Sequence, residues 1–386
     1  MDFRLEERLL APLLEREKSG LERRVRLFDS GDGFLDLSNN DYLGLAKHPK
    51  IVEAAKKAID RFGCSSSSSP LITGFGVAHE ELLESLLVWH GFEHGMIWNT
   101  GYAANQAVLS VLPQKGDLIL ADRLIHNSMV TGILRSGARL IRYPHCSVED
   151  LEVQLEKESN GGRIVFVVTE SVFSMDGDYP DLSRIAALKE KYPFFWIVDE
   201  AHALGWYGEK GSGLVEAFDV AEHVDLVVGT MGKGLGSMGA YTLFHNATLK
   251  RYFENFSNEF IYSTYLSPVS AAVGKASIEL IQGMSFERVA ARKYSMHLRK
   301  RLQDIGLLVP AGDAPIVPVV MGKADVAIGA SKSLEDAGIR VGAIRPPTVP
   351  KGESRLRISL KVGMSQGIKD KIVETLKPYG REVREG

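Results

Sequence analysis

Cysteine is nearly absent: Cys64 and Cys146 are the two in 386 residues. A disulfide framework is therefore not expected, and the count fits a reducing compartment. Long apolar runs are missing as well. No stretch approaches the roughly 18 residues that cross a bilayer. The opening residues, MDFRLEERLL, carry acids early and lack an apolar core of signal-peptide length. The cytoplasm is the expected location, with no membrane partner. An excess of charge of one sign is lacking too, since 46 basic against 49 acidic residues leave a formal net charge of −3. Nucleic acid is not expected as a partner, because its binders carry basic patches or a high isoelectric point. No internal repeat is visible.

What is present is an average globular composition in a chain too long for one ordinary core, so two or three structural units are expected. Residues 1–26 mix Leu with Glu and Arg at helical spacing, as in a surface helix laid across the body. The turn-rich Ser30-Gly31-Asp32-Gly33 follows, then a short strand over Phe34–Leu37 and a helix over 48–62. From about 79 to 245 helical stretches (Glu80–Trp89, Ala103–Leu112) alternate with short apolar runs. The strongest runs are Ile164–Thr169, Phe194–Val198 and Val224–Val228. Continuous apolar strands alternating with helices imply a parallel sheet buried on both faces. After Pro268 the pattern predicts helix to about Leu302, and the last 80 residues mix strands (Ile316–Met321, Arg340–Ile344, Leu356–Leu360) with two helices. The Ser65–Ser69 run reads as a flexible loop.

In parallel sheets ligands gather at the carboxyl ends of the strands. The first strong strand runs into Glu170-Ser171 and Ser174-Met175-Asp176-Gly177-Asp178, the second into Asp199-Glu200-Ala201-His202, and the third into Gly229-Thr230-Met231-Gly232-Lys233-Gly234. A carboxylate, a histidine and a lysine can thus converge at one sheet edge. Asp199-Glu200-Ala201-His202 spells the DEAH box of helicases, but that reading requires a phosphate loop, and no Gly-Lys pair here precedes Ser or Thr. Gly234 to Gly239 is formally G-x-G-x-x-G, yet the strand-like Ala240-Tyr241-Thr242-Leu243-Phe244 follows where a dinucleotide fingerprint needs a helix. One chemistry uses all of these residues. Pyridoxal phosphate needs a lysine for its Schiff base, an acid at its ring nitrogen, and donors for its phosphate and ring hydroxyl. Lys233, Asp199, Thr230 and His202 supply those types in that order.

Six motifs extend the pattern: Ser38-Asn39-Asn40-Asp41-Tyr42-Leu43-Gly44-Leu45, Thr100-Gly101-Tyr102-Ala103-Ala104-Asn105, Ala121-Asp122-Arg123-Leu124-Ile125-His126, Val172 to Asp178, Asp199 to His202, and Gly232-Lys233-Gly234. Together they resemble the α-oxoamine synthases, a fold-type I pyridoxal-phosphate family, over nearly the whole chain. The resemblance implies an α/β fold, with a large, mostly parallel sheet flanked by helices and a smaller α+β C-terminal domain. The chain would divide into an N-terminal helix and extended arm (1–48), a large cofactor-binding domain (49–270) and the C-terminal domain (271–386).

The resemblance also implies roles. Lys233 would carry pyridoxal 5′-phosphate and act as the base, His126 would stack on the ring, and Asp199 would pair with the ring nitrogen. His202 and Ser174 would contact the ring hydroxyl, while Gly101, Tyr102 and Thr230 would serve the phosphate. Phe260-Ile261-Tyr262-Ser263-Thr264 matches a segment that reaches the neighbouring subunit's phosphate, which implies a homodimer. Arg23, Asn40, Arg345 and Thr348 would bind substrates, with Arg345 on the amino-acid carboxylate. The run Ala343 to Pro350, followed by Arg355-Leu356-Arg357, points to the branch that condenses L-alanine with a pimeloyl thioester, on coenzyme A or an acyl carrier protein, with loss of carbon dioxide. Members using glycine or serine, a transaminase, and a non-catalytic partner subunit are the alternatives. Gly63-Cys64-Ser65 to Pro70 departs from the family's glycine-rich pattern, with serine where positive φ would be easy and Pro70 where a cation is usual. Substrate preference is where that departure would show.

Overall fold

The structure is a computed structural model that describes residues 3–29, 31, 33–158 and 161–380; Ser30 and Asp32 of the predicted turn lie outside them. In chain order the strands are β1 (Leu35–Asp36), β2 (His94–Trp98), β3 (Leu118–Asp122), β4 (Arg139–Tyr143), β5 (Val165–Glu170), β6 (Phe195–Asp199), β7 (Leu226–Thr230) and β8 (Ala240–Phe244). Then come β9 (Ile316–Gly322), β10 (Ile339–Arg340), β11 (Gly342–Ile344) and β12 (Ser354–Ser359).

The main sheet has the order β2-β8-β7-β6-β5-β3-β4. Its five strands from β7 to β4 run parallel, and β8 is antiparallel to both β2 and β7. Every residue of β3, β5 and β7 is buried, as strands covered by helices on both faces must be. The three strongest predicted strands all form, shifted one or two residues toward the C-terminus. The shift matters: Glu170, Asp199 and Thr230, expected just past the strands, are the last strand residues and are held by the sheet itself.

The predicted helices form at Pro49–Phe62, Val77–His90 and Gly101–Val111. Pro49 stands at the first turn, where its missing N–H costs nothing. The stretch after Pro268 breaks at Gly283-Met284 into Pro268–Gln282 and Ser285–Asp304. The N-terminal helix covers Phe3–Lys18, buries none of its residues, and ends before Gly20 at φ 66°, short of the predicted 26. Among the described residues no helix is long and apolar enough to cross a membrane.

A second sheet, β11-β12-β9, is antiparallel throughout. The arm ties to this part of the chain, since β1 pairs in parallel with β10, and Ser359 N donates to Leu37 O at 2.8 Å. That stitch carries Asn40 and Tyr42 to the edge of the main sheet.

The serine run is not the loop expected of low complexity. Ser66 Oγ donates to Leu266 O (2.6 Å), Ser69 Oγ to Ile261 O (2.8 Å), and Tyr265 N to Ser68 O (2.9 Å). Short hydroxyls here satisfy carbonyls of the 261–267 segment, and Ser67 takes φ +52° without being glycine. Composition alone hides such pairing, because the partner is some 200 residues away.

Candidate active site

The ends of β5, β6 and β7, with the N-terminus of helix 101–111, wall a cavity of about 180 Å³. Gly101, Tyr102, His126, Asp199, His202, Thr230 and Lys233 all line it, so seven predicted residues from four separate stretches of the sequence meet in one place. Asn105, Ser128 and Glu170 join them.

Asp199 is buried at the end of β6, beside Glu170 across the parallel ladder. Its Oδ2 accepts from Asn105 Nδ2 (2.8 Å) and its Oδ1 from Ala201 N (2.9 Å). The same Asn105 amide donates to Ser128 Oγ (3.1 Å), which donates in turn to His126 Nδ1 (2.7 Å). This chain fixes the His126 ring with Nδ1 as acceptor. Asn105 has no predicted role, although it lies four residues after Gly101 on one helix face, a spacing that could have found it. Its Oδ1 is buried without a partner.

Lys233 sits in a turn only glycines allow. A Cβ on Gly234 would stand 2.4 Å from Leu204 O, and Gly236 has φ +60° against Ala46 N. The formal G-x-G-x-x-G therefore serves close backbone packing, and β8 follows it as read from the sequence. Lys233 Nζ lies 2.8 Å from His202 Nε2, and His202 Nδ1 lies 2.6 Å from Tyr42 Oη. With Nε2 accepting, Nδ1–H donates to Tyr42, whose hydroxyl donates to Asn40 Oδ1 at 3.2 Å. Burial brings the Lys233 amine down to about 8, against the pull of Asp199 and Glu170. Burial, with the Lys233 charge second, holds His202 well below its ordinary value, so it stays a neutral acceptor. Burial, reinforced by Asp199, raises Glu170 well above the carboxylate range. Glu170 accepts from the His126 backbone N–H at 2.6 Å.

Arg357, too, has no predicted role. It is buried on β12, donates to Asn40 Oδ1 (3.0 Å), Ser359 Oγ (2.9 Å) and Ser174 O (2.6 Å), and its charge lowers both Lys233 and His202. No ion pair among the described residues gives it a carboxylate. A buried, unpaired guanidinium is costly unless something anionic meets it.

The remaining predicted residues lie elsewhere. Ser174 and Thr348 line a neighbouring cleft of about 450 Å³ with Arg123 and Arg355. Arg23, Arg345 and Thr348 share another of about 210 Å³, where Arg23 Nη2 donates to Thr348 Oγ1 (3.0 Å) and Arg345 Nη1 to Gly20 O (2.7 Å). Arg345 is thus outside the Lys233 cavity. Thr264 meets Asn99 Nδ2 through its carbonyl at 2.7 Å and does not line the cavity.

Glu200, beside Asp199, points away and takes hydrogen bonds from Val215 N (2.5 Å), Ser171 Oγ (2.7 Å) and Leu214 N (3.1 Å). Burial pushes its carboxyl up to about 7 despite those donors. The folded chain therefore holds this proton more tightly than the unfolded one. Stability is full below the unfolded value and falls as pH rises through about 7, by about 3 kcal/mol for this group. Thermal melts of Glu200→Gln between about pH 5 and 8 should lack that decline; a slope equal to that of the unchanged chain would refute it.

The cavity fits the expected cofactor. It offers an amine, a buried carboxylate with fixed orientation, and a helix N-terminus at Gly101 whose amide protons suit a phosphate. Over residues 32–376 the sequence matches the family described as aminotransferase class I and II. The 8-amino-7-oxononanoate synthase of Trichlorobacter lovleyi is 39% identical, over 97% of this chain and 98% of its own. Among solved structures, a lysine-to-alanine variant of the serine palmitoyltransferase from S. paucimobilis, with a bound pyridoxal phosphate–myriocin aldimine, superposes with a TM-score of 0.90 at 26% identity over 100% of both chains. The 8-amino-7-oxononanoate synthase of Francisella tularensis gives 0.78 at 26% identity, over 92% of this chain and 99% of that one. The chain belongs to the class I and II aminotransferase family and, within it, to the 8-amino-7-oxononanoate synthases.

Proposed function

We propose that the chain condenses L-alanine with a pimeloyl thioester, of coenzyme A or an acyl carrier protein, releasing carbon dioxide and the thiol to give 8-amino-7-oxononanoate for biotin synthesis. As a member of this family it is a pyridoxal 5′-phosphate-dependent acyltransferase. The observation that carries the reading is Lys233 Nζ in the cavity beside His202, with Asp199 in the same wall.

The bound cofactor supplies an electron sink for the charge left on the amino-acid α-carbon. The chain's own residues do the rest. Asp199, oriented by Asn105, holds a proton at the ring nitrogen and keeps the sink active. Lys233 would hold the cofactor and, as a free amine, would take the α-proton, and its lowered affinity for protons suits a base near neutral pH. Neutral His202 orients the lysine, and its hydrogen to Tyr42 keeps the tautomer fixed. Gly101, Tyr102 and Thr230 would hold the phosphate, and His126 would lie against the ring, since all four line the cavity. Arg357 receives the alanine carboxylate, while Arg345, Arg23 and Thr348 receive the thioester. The working unit is a homodimer in the cytoplasm: His126 and Tyr102 are exposed in the single chain, and Thr264 completes the partner's phosphate site.

Two measurements test this. With pimeloyl-CoA, alanine should release thiol and carbon dioxide faster than glycine or serine does; preference for either of those makes the chain a different oxoamine synthase. Uptake of pyridoxal phosphate by cofactor-free protein needs the neutral Lys233 amine, so its rate should rise with pH through about 8 and then level off. A rate already flat at pH 6 contradicts the lysine assignment.

A further inference from the structure

The turn after β4 carries an ionised group that the proposed chemistry leaves unused. His145 lies between two carboxylates: Nδ1 is 2.9 Å from Asp122 Oδ1, and Nε2 is 3.1 Å from both oxygens of Asp178. A neutral imidazole has one N–H to donate, so carboxylates at both nitrogens require the imidazolium. Burial alone would weaken its hold on the second proton, but Asp122 and Asp178 push it up to about 12. The two anchors differ. Asp122 is the last residue of β3, fully buried, and also accepts from Leu124 N (2.8 Å) and Cys146 N (2.7 Å). Asp178 belongs to the loop that leaves β5, and its side chain is 37% exposed. His145 therefore fastens that loop to the main sheet, and the Phe173 ring meets it edge-on with centroids 4.4 Å apart.

On its other side the same loop holds β12. It closes on itself through Phe173 N to Asp178 O and Gly177 N to Phe173 O, both 2.9 Å. Ser174 O accepts from Arg357 Nε at 2.6 Å, and the Asp176 carboxylate pairs with Arg355. Gly177, at φ +61°, lies so near β9 that a Cβ would stand 2.2 Å from Ile316 O. A displaced loop carries the Ser174 carbonyl with it, and the direction of the guanidinium follows that carbonyl. We propose that His145, clasped between Asp122 and Asp178, is a positioning residue for amino-acid binding: it fixes Ser174 O and so aims Arg357 at the substrate carboxylate. This rests on the reading of Arg357 as the carboxylate site. Arg357 has two further holds, Asn40 Oδ1 and Ser359 Oγ, so loss of the clasp misdirects the guanidinium without releasing it.

Among the described residues the Asp178 carboxylate hydrogen-bonds only to His145, so Asp178→Ala cuts the clasp on its solvent side and leaves the buried half in place. Binding of amines to the cofactor-loaded protein, without thioester, is read from the change in cofactor absorbance. The dissociation constant for L-alanine should rise about tenfold in Asp178→Ala, and further in Arg357→Ala. That for ethylamine, which is alanine without its carboxylate, should stay the same in Asp178→Ala. In the Arg357→Ala background Asp178→Ala should add nothing, because both changes act on one contact. An unchanged alanine constant in Asp178→Ala overturns the proposal while Arg357→Ala still weakens alanine. So does equal weakening of both amines, or an effect that adds in full to that of Arg357→Ala. If Arg357→Ala itself binds alanine as the unchanged chain does, the carboxylate assignment fails and the proposal falls with it.

Discussion

Lys233→Ala should lower kcat for the alanine–pimeloyl-CoA condensation by about 10⁴-fold or more and remove the covalently held cofactor absorbance. The reason lies in the geometry of the turn. Lys233 is the amine lining the cavity, its proton affinity is lowered to about 8, and His202 directs it at 2.8 Å. A methyl group can neither bind the aldehyde nor move the α-proton. Circular dichroism and melting temperature should be little changed, because a half-buried amine contributes little to packing. A variant that keeps more than about one hundredth of the activity would remove Lys233 from its role as base.

The two arginine variants should separate by substrate. Arg357→Ala should reduce kcat/KM for alanine by about 10²- to 10³-fold, the cost of removing a buried, charge-assisted fork from a carboxylate. Arg345→Ala should leave the alanine KM near its starting value and raise that for the thioester. Arg357 also holds Ser174 O and Asn40 Oδ1, so Arg357→Lys is the necessary companion. It keeps the charge and loses the fork, and should fold while recovering only part of the activity. If Arg345→Ala damages alanine use and Arg357→Ala does not, the carboxylate belongs to the cleft beside Arg23.

The contrast between these arginines shows where reading the chain works. Asp199, Thr230 and Glu170 were legible because strongly apolar strands with polar ends announce their own direction, and a parallel sheet puts its ligands there. Lys233 was legible because it follows the third strong apolar strand, at the same edge as the acid and the histidine that end the second. Arg345 drew attention as part of a motif, yet a motif carries no distance, and the structure sets it against Gly20 O in another cleft. Arg357 and Asn105 were present in quoted runs without a role. Nothing local distinguishes a buried arginine on a strand from a solvated one, or a helical asparagine that orients a carboxylate from one facing water.

By itself the chain's order of residues determined the strands, the helices between them and the chemical types at the strand ends, because period and polarity are properties of neighbours. The convergence of Asn40, Tyr42, His202 and Lys233 was decided only when β1 paired with β10 and the arm was laid against the main sheet. The pairing of the serine run with 261–267 and the gathering of Asp122, His145, Cys146 and Asp178 are of the same kind. Hydrogen bonds between residues tens to hundreds of positions apart leave no periodic trace, since each depends on where the packed core holds two backbones.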